Sequence, residues 1–169
     1  MYVRYKTETK GQDFSESYSI SEKRKENFRF HINYKEGENW SFANRFEKSF
    51  TDFEKNKASG YMLYQDIKYK PLFGKFSFTS RYVLFNTPDY DNRIYAYEND
   101  VLYGYSIPAY YGKGSKIYLV AKCNIIRNLD FWVRIARTTY TDRKILKSGW
   151  DEIKGNTMTE VKLQLRYKF

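Results

Sequence analysis

The last residues of the chain, 159–169, alternate between apolar and polar side chains. The apolar row is Val161, Leu163, Leu165, Tyr167 and Phe169, and the polar row is Glu160, Lys162, Gln164, Arg166 and Lys168. Successive side chains of a β-strand point to opposite faces of its sheet, so this period predicts a strand with one apolar face and one charged face. Either a soluble sheet or a membrane barrel could use such a strand.

The sequence stops on Phe169 itself, with no polar tail after it. This ending resembles the terminal strand of Gram-negative outer-membrane β-barrels, whose last residue is typically Phe and is recognised by the barrel-assembly machinery. The resemblance implies an outer-membrane location, with Leu165, Tyr167 and Phe169 as the assembly signal. Its implied partners are outer-membrane lipid, lipopolysaccharide and the assembly machinery, alone or within a larger membrane complex. The apolar row would face lipid and the polar row a lumen.

The composition of the chain agrees with this interpretation. Its 169 residues suit a single domain, 1–169, and 20% of them are aromatic, a class common in strands and at membrane interfaces. The net charge of +10 is spread along the chain rather than gathered in one block, so no nucleic-acid partner is expected. The single cysteine, Cys123, cannot form an internal disulfide and suits no metal site. No cofactor is expected.

Met1 is followed at once by strand-like residues, with no secretory signal before them. Because an exported barrel needs a signal peptide, two expectations remain open. Either the signal has been removed or, as we favour, the chain is the C-terminal part of a longer protein.

Alternating runs along the chain are separated by connections of two kinds. The short turns are predicted at 36–39, 71–74, 98–100 and 127–128, and the long loops at 11–24, 52–60, 86–92, 107–115 and 141–157. Between 93 and 106, Ile94, Ala96 and Glu98 are assigned to one strand and Val101, Tyr103 and Tyr105 to the next. Short turns on one side and long loops on the other are typical of outer-membrane barrels. The predicted fold is an all-β, antiparallel up-and-down (meander) transmembrane β-barrel of about ten strands, or the C-terminal strands of a larger barrel.

Two longer motifs sharpen the resemblance. The stretch N-T-P-D-Y-D-N-R-I-Y-A-Y-E-N-D-V-L-Y-G-Y-S-I-P-A-Y-Y-G-K-G at 86–114 and the run G-W-D-E-I-K-G-N-T at 149–157 resemble the barrel region of large outer-membrane proteins of the Bacteroidetes. Those proteins are often labelled by an N-terminal helix-hairpin-helix region. The resemblance implies the fold and the location and supplies no catalytic residues. No helix-hairpin-helix signature is present, so DNA binding is not carried over.

Ionisable residues mark the predicted lumen face. The candidates are Arg29, His31, Arg45, Asp66, Arg81, Lys122, Asp130, Arg134, Lys162 and Arg166. Paired carboxylates could perform acid–base chemistry, but buried charges need partners, so we interpret these residues as a network of ion pairs. His31 is assigned a hydrogen-bonding role that fills the lumen, and no enzymatic activity is expected. When Lys35, Lys68, Glu47 and Glu160 on the same face are counted as well, cations outnumber acids about two to one, which predicts a watery lumen that favours anions.

Tyrosines are concentrated before and after residue 100. Those singled out are Tyr95, Tyr97, Tyr103, Tyr105, Tyr110 and Tyr111. The favoured interpretation is the aromatic girdle at a membrane interface. Stacking on sugars remains the alternative.

Three classes of function follow. The favoured one is an integral outer-membrane barrel, either structural or a narrow anion-favouring conduit. The alternative is a soluble barrel, similar to lipocalins or fatty-acid-binding proteins, that binds a small acidic or apolar ligand. A barrel enzyme lacks a catalytic constellation in the sequence. Dependence on detergent separates the first two classes.

Overall fold

The computed structural model describes residues 2–12, 21–53, 56–147 and 149–169. Eight long strands dominate them: β1 Tyr2–Gln12, β2 Ser21–Glu36, β3 Trp40–Phe53, β4 Asn56–Tyr69, β5 Phe76–Thr87, β8 Gly112–Ile126, β9 Leu129–Tyr140 and β12 Thr157–Tyr167. Four short strands lie in the connections: β6 Ile94–Tyr95, β7 Ala109–Tyr110, β10 Ile145–Leu146 and β11 Ile153–Lys154. Two 3-10 turns, Tyr90–Asn92 and Gly149–Asp151, complete the regular structure.

The long strands form one eight-stranded antiparallel meander in the order β1-β2-β3-β4-β5-β8-β9-β12. Each strand pairs with the long strand that precedes it in the chain, as in the pairing of Leu163 on β12 with Val133 on β9. The predicted all-β, antiparallel meander is therefore confirmed. Across the residues that the structure covers, no pairing joins β1 to β12, so these two strands form the edges of the sheet.

The two faces of the sheet differ in a way that reverses the usual pattern of a soluble protein. On β9, Arg134 and Thr138 are buried whereas Ile135 is about half exposed. On β5, Arg81 is buried and Leu84 is exposed. The charged face is therefore the covered one, and we call it the inner face. The opposite face is mostly apolar and uncovered, and we call it the outer face.

The connection between β5 and β8, residues 88–111, folds back over the inner face, and we call it the inner hairpin. Its two arms pair at Ile94 with Tyr110 and, further along, at Glu98 with Ser106. A turn in which the Gly104 N–H donates to the Val101 carbonyl closes the tip. The hairpin buries the side chains of Ile94, Glu98 and Tyr110. It is this segment that covers the charged side of the sheet.

The inner hairpin corrects the prediction of two wall strands between 93 and 106, joined at 98–100. The arms span 94–98 and 106–110, and they lie on the sheet rather than within it. The main sheet thus has eight strands where about ten were predicted. The reason is length and charge together. The long strands of the main sheet contain 11 to 16 residues, which these arms cannot match. Glu98, in phase with Ile94, needs cationic partners that the inner face provides.

The prediction of a long loop at 52–60 is also wrong. Strand β3 continues to Phe53 and β4 begins at Asn56, and the two pair across residues 54–55, which lie outside the described part of the chain. The polar residues here belong to the ladder: Asp52 lies opposite Lys57, and their charged groups approach to 3.4 Å. Opposite charges on directly paired residues stabilise a hairpin.

Smaller boundary differences occur at both ends of the chain. The predicted loop at 11–24 overlaps the strands, because β1 extends to Gln12 and β2 begins at Ser21, and residues 13–20 lie outside the described ranges. The terminal strand ends at Tyr167, so Phe169 follows the strand rather than belonging to it. In the described ranges, no helix is long and apolar enough to cross a membrane.

Candidate functional site

All the ionisable residues that the sequence assigned to a lumen lie on the inner face. They project from β2, β3, β4, β5, β8, β9 and β12, in phase with the buried positions of those strands. The structure places all of them except His31 in four groups, each of which also contacts the inner hairpin.

The first group joins β2 and β3. Arg29 Nε donates to Glu47 at 2.6 Å, and Arg45 donates to the same carboxylate. Arg45 also donates to the carbonyl of Tyr95 on the inner hairpin at 3.1 Å. One carboxylate therefore serves two guanidinium groups, and the hairpin backbone supplies a further acceptor.

The second group is centred on Arg81 of β5. Its guanidinium makes a bidentate pair with Asp66 of β4, at 2.5 and 2.7 Å, and a third hydrogen bond to the carbonyl of Tyr97. The group lies 3.8 Å above the ring of Tyr64. Each of the three guanidinium nitrogens therefore donates to a fixed acceptor, which makes Arg81 a structural cation rather than a free one.

The third group is centred on Glu98, the side chain of which is completely buried. Arg134 of β9 donates to its carboxylate at 2.5 Å and Lys116 of β8 approaches it at 2.7 Å, and the Tyr110 hydroxyl donates to it as well. The carboxylate is thereby paired with cations from two neighbouring strands of the main sheet, β8 and β9. An unpaired charge at this depth would be strongly destabilising, so these contacts fix the hairpin to the sheet.

The fourth group lies at the free edge of the sheet. Lys162 of β12 donates to Asp100 at the hairpin tip at 2.6 Å. Further along, Arg166 donates to Asp130, which Lys122 approaches at 3.9 Å. The strands alone carry the excess of cations predicted from the sequence, but the hairpin offsets part of it with Glu98, Asp100 and its carbonyl groups.

A few buried polar atoms of the inner face have no hydrogen-bond partner in the described part of the molecule: His31 Nε2, Ser49 Oγ, Asn92 Nδ2 and Gln164 Oε1. His31 lies edge-on to the ring of Tyr64, with ring centroids 6.2 Å apart. No carboxylate or nucleophile shares a hydrogen bond with this histidine, so the geometry offers no catalytic pair built on it.

The tyrosines do not occupy the girdle position that we favoured from the sequence. Tyr95, Tyr97, Tyr103 and Tyr105 belong to the inner hairpin and are exposed on its surface, whereas Tyr110 is buried beneath it. The rings of Tyr97 and Tyr105 lie 5.8 Å apart. Tyr111, the last residue of the hairpin, packs edge-on against Tyr90. The side of the hairpin turned away from the sheet is therefore aromatic.

A cavity of about 200 Å³ remains between the inner hairpin and strands β8, β9 and β12. Its lining includes Glu98, Lys116, Arg134, Glu160 and Lys162. Because a water molecule in the liquid occupies about 30 Å³, this space suits a small cluster of waters among charged groups.

The proposed assembly signal lies on the outer face at the end of β12. Leu165, Tyr167 and Phe169 are all well exposed, and the rings of Tyr167 and Phe169 pack edge-to-face at 5.2 Å. Cys123 is a free, partly exposed cysteine. Within the described ranges, no cluster of His, Cys, Asp and Glu side chains is arranged to hold a metal ion.

Three members of the site were not predicted as such from the sequence: Glu98, Asp100 and Lys116. Glu98 was assigned to a strand of the main sheet, and the other two were not among the candidates. A signal was present, because Glu98 continues the apolar row of Ile94 and Ala96, where a carboxylate is out of place unless cations surround it.

Fold and site geometry are the basis for any functional assignment here. Comparisons with models of protein families, with curated proteins and with solved structures found no match for this chain.

Proposed function

We propose that the chain forms part of the wall of a β-barrel that spans the bacterial outer membrane, with the outer face toward lipid and the inner face toward a lumen. The observation that carries the proposal is the reversal of burial between the two faces. Charged side chains such as Arg134 and Glu98 are buried, while Leu163 on the outer face is 66% exposed. Fully burying one such aliphatic side chain is worth about 1.5–3 kcal/mol, so a whole face left in water would be very unfavourable.

The strand lengths suit a membrane. The shortest wall strands, β1 and β12, contain 11 residues, and a membrane strand tilted by about 45° needs about 9–11 residues. At one end of the sheet the connections 37–39, 70–75 and 127–128 are short, and at the other end 88–111 and 141–156 are long, although only residues 54–55 join β3 to β4 there. Apart from that one connection, the asymmetry is the one that outer-membrane barrels share.

We further propose that the complete barrel has more than eight strands. Unpaired backbone groups are not tolerated in lipid, so the free edges of β1 and β12 must be paired. Closing these strands on each other would give an interior that side chains alone fill, at about eight strands. The inner hairpin already occupies that space, and its Tyr103 and Tyr105 are still 85% and 75% exposed. Room for the hairpin and an open space beyond its tyrosines requires further wall strands.

In this barrel the inner hairpin narrows the lumen, and the passage that remains favours anions. The inner face carries Lys35 and Lys68 in exposed positions, in addition to the paired arginines. Rings of Lys and Arg are the usual device of anion-selective pores. The proposal is therefore a narrow anion-favouring conduit.

The alternative, a soluble ligand-binding barrel, is less well supported. Such a barrel would bury its apolar rows and place its charges in water. Here Arg81 and Arg134 are buried while Leu84 and Ile135 are exposed. To retain this alternative, another protein would have to cover the outer face.

Detergent dependence tests the membrane assignment. The chain is refolded into phosphatidylcholine vesicles and, separately, into buffer without detergent. We expect heat-modifiable gel migration and β-structure only with lipid or detergent. A monodisperse, folded protein in plain buffer would overturn the membrane assignment. Single-channel recording on the vesicle-inserted protein then tests the conduit, and a preference for cations would contradict it.

A further inference from the structure

One row of directly paired residues crosses the inner face and carries cations but no carboxylate. Successive pairings link Lys35, Ser41, Lys68, Thr79, Val120, Arg134 and Lys162 from β2 to β12. We call it the cation row. The next row toward the long loops contains Asp66 and Glu160. The row beyond it, from His31 on β2 to Met158 on β12, again has no carboxylate, but its Arg45 and Lys116 are paired with Glu47 and Glu98.

The inner hairpin neutralises only one half of the cation row. Over β9 and β12, Glu98 accepts from Arg134 and Asp100 accepts from Lys162. Over β2 and β4 the row is uncovered: Lys35 and Lys68 are exposed, and among the described residues no carboxylate lies within ion-pair distance of either. The nearest acid by register, Asp66, is held by the two-pronged pair with Arg81.

The spacing of the uncovered half suits a small anion. Lys35 and Lys68 lie on strands β2 and β4, on either side of β3, so their backbones are about 10 Å apart. Ser41 lies between them, directly paired with both, and Thr79 follows on β5. The flexible lysine stems allow the two ammonium groups to converge over Ser41, where the hydroxyl adds a neutral donor.

We propose that Lys35, Lys68, Ser41 and Thr79 form a binding site for a small oxyanion, and that this uncovered half of the cation row gives the conduit its anion preference. The inference rests on the proposed function, because it requires the inner face to border the lumen. It names Lys35 and Lys68, rather than the buried arginines, as the residues that determine selectivity. The arginines are already bound to fixed acceptors.

Inorganic phosphate is the probe, titrated by calorimetry into the folded protein in a zwitterionic detergent. The test variant is Lys35→Gln with Lys68→Gln. Its matched control is Lys144→Gln with Lys154→Gln, which removes the same charge from the exposed loop 141–156. Because the test variant loses two charge-assisted hydrogen bonds, we expect its affinity for phosphate to be weaker by about tenfold or more. The control is expected to stay within about twofold of the unmodified chain. Equal weakening in both variants would mean diffuse charge only, and no weakening in the test variant would also overturn the site.

Single-channel reversal potentials in a KCl gradient separate the site from the conduit. We expect the chloride-to-potassium permeability ratio to fall at least about threefold in the test variant and to be unchanged in the control. Phosphate binding without any channel would leave the site standing and remove the conduit. A channel whose ratio does not respond to the test variant would leave the conduit standing and overturn the role of Lys35 and Lys68.

Discussion

Arg134 of β9 donates to Glu98 of the inner hairpin at 2.5 Å, and the two side chains are 2% and 0% exposed. This pair joins a strand of the main sheet to the segment that covers it. Arg134 also donates to the carbonyl of Asn99, and Lys116 approaches the same carboxylate from β8. The buried Glu98 carboxylate therefore holds the hairpin to β8 and β9, in addition to the contacts that the hairpin makes with Arg45, Arg81 and Lys162. The position of the hairpin in turn determines how much of the inner face is covered.

Replacing Glu98 tests this dependence. Glu98→Ala leaves Arg134 and Lys116 without their main partner, and breaking a buried pair in this way costs about 3–5 kcal/mol. We expect a lower urea midpoint in detergent and faster tryptic cleavage at Arg93. The exposed Glu152→Ala in the loop 141–156 is the control and is expected to change neither. If Glu98→Ala unfolds and is cleaved as the unmodified chain is, the carboxylate does not hold the hairpin.

The open-channel current of Glu98→Ala tests whether the inner hairpin narrows the passage. Release of the hairpin widens the passage, so the open-channel current of Glu98→Ala is expected to rise. A current that is unchanged despite faster cleavage at Arg93 would show that the hairpin is not the constriction.

The alternation of side chains was enough to predict the strands of the sheet and their two unlike faces. On β12 the polar positions 162, 164 and 166 lie on the inner face and the apolar positions 161, 163 and 165 on the outer face, as the period of two requires. The period does not show whether an alternating segment lies in the sheet or on it. Ile94, Ala96 and Glu98 alternate as well, and only the partners of Glu98 on distant strands decide where they lie.

The charge count had a similar limit. From the sequence, Arg81 and Arg134 were assigned to a network of ion pairs without identified partners, and they counted toward the excess of cations on the lumen face. In the structure each is bound to a carboxylate and to a hairpin carbonyl. Reversing them would disturb folding rather than change selectivity alone. Pairing of this kind depends on distances across the sheet, which no local pattern contains.

A charged side chain should destabilise the inserted protein at a lipid-facing position and should be tolerated at a neighbouring position on the inner face. Leu163 is on the outer face, and Gln164 follows it on the inner face, next to Trp132 in register. Leu163→Arg is expected to destabilise the inserted protein by about 2–4 kcal/mol, and Gln164→Arg by much less. Folding into vesicles, followed by urea titration, measures both. Equal tolerance at the two positions would argue against lipid on the outer face.

The width of the barrel is measurable as a distance between the edge strands. Spin labels are attached at Val3→Cys on β1 and Leu163→Cys on β12, in a Cys123→Ser background that removes the native thiol. If the eight strands closed on themselves, the backbones of β1 and β12 would lie about 5 Å apart, which is the spacing of neighbouring strands. A wider barrel predicts a label separation well beyond that value. The pair Val133→Cys and Leu163→Cys, directly opposite in the sheet, calibrates the short distance.

Deletion of Phe169 tests the assembly signal apart from folding. The residue follows β12 and is fully exposed, and its ring contacts only Tyr167 among the aromatic pairs of the described chain. We expect refolding in detergent to be nearly normal and the amount in the outer membrane of cells to fall sharply. Deletion of Phe73, an exposed turn residue, is a poor control for a terminal deletion. The second variant is therefore Phe169→Ser, which removes the ring and keeps the length of the chain. Normal membrane levels of both would show that the terminal ring has no role in assembly.

Asp142 and Arg143 attach the long loop 141–156 to the start of β8, and this attachment should depend on pH. Hydrogen bonds from Arg143, at 2.8 and 3.1 Å, hold the pKa of the Asp142 carboxyl below its usual value, and a backbone N–H of Lys113 acts in the same direction. The Arg143 guanidinium lies against Gly112, where an added Cβ would come within 1.9 Å of it.

Since the folded pKa of Asp142 is lowered, its contribution to stability is complete above the unfolded value of about 3.9 and is lost as the pH falls through the folded value. The Thr141 N–H donates to the Lys113 carbonyl at 2.8 Å and reports on the attachment. We expect hydrogen exchange at Thr141, corrected for its intrinsic rate, to accelerate only below about pH 4. Asp142→Asn should abolish that pH dependence, whereas Asp151→Asn, in the same loop, should preserve it. Persistence of the acid transition in Asp142→Asn would assign the attachment to another group.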